Sequence, residues 1–166
     1  MLYRQIYKPG FLKYFDKKVA QIELEDNTYK INLLEIVKVM GYKLKKAEDD
    51  NFIFNINKKT IDSSVIYIVE DDSKNRAFIA YQIALKLLPN KRMKDEYSNW
   101  KDSFYMRIFD FINELLAPKK LFKKLTTDYP NITTEEIAEK MDISYTRAYN
   151  IRRGIYWSTE IYLIMV

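Results

Sequence analysis

From Ser73 to Leu125 the chain reads as three helices in succession, and any fold it adopts must bury their apolar stripes. Ser73 can cap the first, in which Ala77, Ala80, Ala84 and Leu88 recur at helical spacing beside Phe78, Ile79 and Ile83, until Pro89 stops it. Ser103 can cap the second, where Tyr105, Ile108, Phe109, Ile112, Leu115 and Leu116 make one stripe. Pro118 suits the first turn of a third, which carries Leu121, Phe122 and Leu125. The polar, charged segment 90–100 between the first two reads as an exposed loop. At 166 residues, 48% of them hydrophobic and 15% aromatic, the chain can build one domain with a real core, with room for a small appendage.

Upstream the pattern changes. Pro9-Gly10 marks a turn, and a helix over 11–24 would place Phe11, Phe15, Val19 and Ile22 on one face. Asn32 opens a second helix through Leu33, Leu34, Ile36, Val37 and Met40, and Gly41 stops it. Three strand candidates follow. Residues 42–47 and 52–57 alternate, while 65–69 is nearly all apolar and β-branched. The Asp-, Asn- and Ser-rich turns between them predict a small antiparallel three-stranded sheet. The fold class expected is therefore α+β.

Several chemistries are closed to this chain. It has no histidine, which removes Ser-His-Asp and Cys-His sites and most zinc sites. It has no cysteine, which removes disulfides and thiolate ligands. No apolar run reaches the ~18 residues that span a bilayer, and residues 1–10 lack an apolar signal core, so a cytoplasmic protein is expected. The net charge of +5 permits a nucleic-acid or acidic-protein partner without requiring one.

Residues 76–88 read Arg-Ala-Phe-Ile-Ala-Tyr-Gln-Ile-Ala-Leu-Lys-Leu-Leu. The run resembles R-F-T-L-A-H-E-L-G-H-x-L-L, the zinc-binding helix of the ImmA/IrrE-type metallopeptidases. Residues 109–118 resemble the C-terminal half of that family's second helix, with Phe111, Glu114, Leu115, Leu116 and Pro118 at matching places. The resemblance implies a zincin-like minimal core within residues 1–125. It also implies that the chemistry is gone. Where the family has His-Glu-x-x-His, this chain has Tyr81-Gln82-Ile83-Ala84-Leu85, and the third ligand's place falls at Arg107, or at Tyr105 if an earlier glutamate is the ligand. A phenol, a neutral amide, a hydrocarbon and a guanidinium neither grip Zn²⁺ nor activate its water. Tyr81, Gln82, Leu85 and Arg107 would then line a vestigial cleft, with no metal and no cofactor.

Residues 126–166 would form a C-terminal element packed on that body. Thr133 and Glu136 predict a capping box, with Ile137, Ala138 and Met141 on the inner face of a first short helix. Asp142-Ile143 is the turn, and Ser144 caps a second helix that turns Ala148 and Ile151 inward. This resembles the helix-turn-helix pattern I-A-E-x-x-G-V-S-x-x-x-V, with Asp142 in place of the turn glycine. Tyr145, Arg147, Asn150, Arg152 and Arg153 are the candidate nucleic-acid contacts, Asn150 or Arg147 for bases and Arg152 and Arg153 for phosphates. Lys119, Lys120, Lys123 and Lys124 add a basic patch nearby. The alternative is a purely structural module, because the same segment forms part of the compact body in the peptidases it resembles.

The function implied by the resemblance is a catalytically inactive, protein-binding regulator of phage or mobile-element origin, holding a repressor or a host defence protein. The alternatives are a DNA-binding transcriptional regulator using residues 144–153, and an inhibitor of a host nucleic-acid-handling enzyme.

Overall fold

The computed structural model describes residues 2–47, 64–69, 72–88 and 102–154. A 3-10 turn at Leu2–Gln5 precedes α1 (Pro9–Leu24), α2 (Leu33–Val39), β1 (Lys43–Lys46), β2 (Val65–Ile68), α3 (Asp72–Lys86), α4 (Asp102–Leu116), α5 (Lys119–Asp128), α6 (Thr134–Met141) and α7 (Tyr145–Arg152). Ser73 and Ser103, expected as caps, are instead the second residues of α3 and α4, whereas α2 starts and stops where its local chemistry directs. Asn32 caps α2 by accepting from the Glu35 N–H at 3.2 Å. At its other end Gly41 takes φ +75°, so its N–H reaches the Lys38 carbonyl and that of Tyr42 reaches Val37.

The three-stranded antiparallel sheet expected from the sequence is not what forms. Among the described residues the protein is mostly helical, and β1 and β2 make a two-stranded parallel sheet with Lys43 opposite Val65 and Lys46 opposite Ile68. The candidate strand at 52–57 lies outside the described residues. Polar turn residues between strands suggested hairpins. The segment from β1 to β2 exceeds the dozen or so residues that a parallel crossover needs, so the local turn signals did not decide the direction.

One continuous apolar core runs from Phe15 in α1 to Ile151 in α7. At its centre α3 is enclosed, with every residue from Phe78 to Lys86 buried. It is apolar nearly all round, as a helix surrounded by protein must be. Packed beside it, α4 contributes Phe111, which meets Tyr7 at 4.2 Å, Tyr3 at 5.1 Å, and Phe11 and Phe15 at 5.8 Å between ring centroids. The aromatic residues at the start of the chain are thus core. Tyr7 also donates its hydroxyl proton to the Ala84 carbonyl at 2.8 Å, satisfying an acceptor in the last turn of α3.

Candidate functional site

Three of the four positions that resemble a zinc site are enclosed in the core. Tyr81, Gln82 and Leu85 are 5%, 2% and 1% exposed, so they line no open cleft; Arg107, on α4, is half-buried. Gln82 has a definite task. Its Oε1 accepts from the Tyr67 N–H at 2.8 Å and its Nε2 donates to the Tyr67 carbonyl at 2.7 Å. Two turns earlier on α3, Asn75 treats Val69 the same way, with both bonds at 2.6 Å. The geometry of a strand explains the spacing. The Ser64 and Ile68 carbonyls of the β2 chain point at β1, so Tyr67 and Val69 turn their backbone groups to the opposite edge. Each side-chain amide there makes the pair of bonds that a peptide unit of a neighbouring strand would make.

Among the described residues no three His, Cys, Asp or Glu side chains come together that could hold a metal ion. Nor is any helix among them long and apolar enough to cross a membrane.

The helix-turn-helix segment forms with the capping chemistry its sequence carries. Thr133 and Glu136 bond each other's backbone N–H groups, at 3.2 Å to Glu136 and 2.7 Å to Thr133. Asp142 takes the left-handed φ 54°, ψ 55°, and Ser144 accepts from the Arg147 N–H at 3.2 Å. The five candidate contacts then divide. Tyr145 and Tyr149 stand outward at 52% and 43% exposure, their rings stacked at 6.4 Å, with Arg153 over Tyr149 at 5.5 Å. Arg152 is exposed and Asn150 half-buried. Arg147, expected outside, is only 3% exposed and donates to Asn113 of α4, because that amide lies beneath the first turn of α7. It ties the helix to the body rather than presenting a base-reading group.

Of the basic patch on α5, Lys124 is structural. Its ammonium donates to the Ile22 and Glu25 carbonyls at the end of α1 and lies 5.0 Å from the Tyr29 ring centre. Lysine at that place adds a donor to the carbonyls at the helix end and complements the helix dipole.

Two charged groups that the motifs include but give no role sit in unusual surroundings. Glu114 on α4 is buried, and loss of hydration raises its pKa to about 7, against the opposing pull of Lys119. Arg76 on α3 donates to the Ile31 carbonyl at 2.8 Å and the Leu116 carbonyl at 3.4 Å, while its enclosed Nε has no acceptor. Burial pushes its pKa down to about 10, with Asp142 pulling the other way. It lines a groove of about 430 Å³ between the α1–α2 connection, α3 and the Asp142 turn. Arg76 opens the run that resembles the peptidase helix, but a motif letter gives no sign that both of its hydrogen bonds would go to backbone carbonyls.

The chain matches no protein-family model, no curated protein and no solved structure.

Proposed function

We propose that this chain is a catalytically silent binding protein that acts by holding another protein. The observation that carries the reading is Gln82. It stands where the resemblance calls for a general base, and both ends of its neutral amide are taken by the Tyr67 backbone. A neutral amide committed to the scaffold in this way is too weak a base to take a proton from water. A regulator of phage or mobile-element origin, working in the cytoplasm on a repressor or a defence protein, follows from the sequence resemblance of α3 and α4. Affinity capture from the native cell tests it. A stoichiometric protein partner that survives nuclease treatment is expected. Capture lost to nuclease, or cleavage of an added protein by the purified chain, would reject the reading.

A second reading has one observation in its favour: the outward ladder of Tyr145, Tyr149 and Arg153, flanked by Arg152. Charge weighs against it. Within residues 134–154, Glu135, Glu136, Glu139 and Asp142 offset Lys140, Arg147, Arg152 and Arg153, and Arg147 is enclosed. Affinity for a duplex comes largely from several neutralised phosphates, and this element has few free cations to supply them. Gel shifts at low salt should therefore show no tight band. A salt-sensitive band that disappears in the Arg152→Ala, Arg153→Ala double variant would make nucleic acid the ligand.

A further inference from the structure

The groove beside Arg76 has no assigned role, and its chemistry is specific. Ile31, Leu33, Leu34 and Ile79 give it an apolar surface, Thr28, Asn32 and Asn75 add neutral polar groups, and three ionisable side chains line it: Arg76, Lys30 and Asp142. Lys30 and Asp142 are paired at 3.1 Å, so the surplus charge in the groove is the Arg76 guanidinium. That group has five N–H donors and gives only two of them, both to backbone carbonyls. Both of its hydrogen bonds go to neutral acceptors, and Asp142, which also attracts it through space, is shared with Lys30, so the guanidinium's desolvation is only partly compensated. Leu34 stands at the groove with 49% of its surface exposed, an apolar side chain on a groove that carries one surplus positive charge. A ligand complementary to both features is an apolar body bearing one carboxylate.

We infer that this groove is the docking site for an acidic–apolar peptide segment of a protein partner, its aspartate or glutamate carboxylate meeting Arg76 and its apolar neighbours packing on Leu34 and Ile79. The inference rests on the protein-binding reading above and names the surface that reading needs, since Tyr81, Gln82 and Leu85 are enclosed. Charge complementarity selects the occupant. A guanidinium and a carboxylate form parallel charge-assisted hydrogen bonds, which a neutral amide cannot reproduce. Asp142 opposes the same ligand by like charge and by holding Lys30, so it sets how tightly the groove can bind.

The probes are fluorescein-labelled, end-capped hexapeptides with one aspartate or glutamate among leucines and isoleucines, each paired with its asparagine or glutamine twin. Fluorescence polarisation should find acidic peptides that bind about tenfold or more tighter than their twins, the discrimination expected of one charge-assisted pair. Arg76→Met should abolish the preference. Because Arg76 also holds two carbonyls, Leu34→Glu is the second variant: it leaves those bonds alone, adds a repelling carboxylate and should also abolish binding. Asp142→Asn, which keeps a residue tolerant of left-handed φ, should tighten binding several-fold. Equal binding of acid and amide twins, unchanged binding by Leu34→Glu, or no binding by any peptide would overturn the inference. So would 4-methylpentanoate displacing the peptide at equal molar concentration, because the groove would then be a site for small free carboxylates. A partner captured equally well by wild type and Leu34→Glu would sink the groove and leave the protein-binding reading standing.

Discussion

At position 82 an amide and a carboxylate are not interchangeable, although they have the same shape. The amide both donates to and accepts from Tyr67, and a carboxylate can only accept. Gln82→Glu therefore sets a charge against the Tyr67 carbonyl inside the core. We expect it to cost about 2–4 kcal/mol at neutral pH, measured by urea unfolding. The loss should shrink in acid, where the introduced carboxyl regains a proton to donate. Equal stability of the two proteins at pH 7 would show that the pairing with Tyr67 carries no weight. Glu114 gives a second residue-scale prediction. In the folded chain it keeps its proton up to about pH 7, against 4.5 when unfolded. Between those values the folded state binds more protons, so this group's contribution to stability falls as pH rises and is level above about 7. The drop is roughly 3 kcal/mol by the usual conversion. Glu114→Gln should remove it, so the variant should gain on wild type steadily from pH 4.5 to 7. Parallel melting curves for the two proteins across that window would contradict this.

Among the elements, α6 and α7 show how far local chemistry reaches. Thr133→Ala breaks the capping box and should cost about 1 kcal/mol. Asp142→Val forces a β-branched residue into the left-handed region and should cost about 1–2 kcal/mol. Both are read from chemical denaturation, and a neutral result for either would mean that this turn relaxes. These features were legible in the sequence because they are short-range: Thr133 finds Glu136 three residues on, and Gly41 needs only its own backbone. The helix through Phe15, Val19 and Ile22 was legible for the same reason, but Pro9 and Gly10, read as a turn before it, are its first two residues, where proline lacks only an N–H that would have no partner in the helix. The direction of β1 against β2 was not, since it depends on a long connection. Nor was the fate of Arg147. Spacing placed it on the outer face of α7, and only the arrival of Asn113 beneath that turn makes it an inner residue. Tyr81, Gln82 and Leu85 could be read as chemically silent, but their enclosure depends on everything that packs around α3.

For the whole molecule, contacts distant in sequence hold the C-terminal helices to the body. Arg147 reaches Asn113, Lys30 reaches Asp142, and Tyr29 donates to Asp128 at 2.9 Å. The capping of β2 by Asn75 and Gln82 has an effect beyond the fold itself. A strand with unpaired backbone groups along its side is a template on which another chain can crystallise its own backbone. Here two side chains occupy that template, and because they belong to a buried helix they cannot be peeled away without unfolding the centre of the protein. Asn75→Ala together with Gln82→Ala should expose it, and light scattering should then grow with protein concentration where wild type stays clear. The same two amides that fix a helix to a strand also keep the Tyr67 and Val69 backbone from recruiting a partner out of solution.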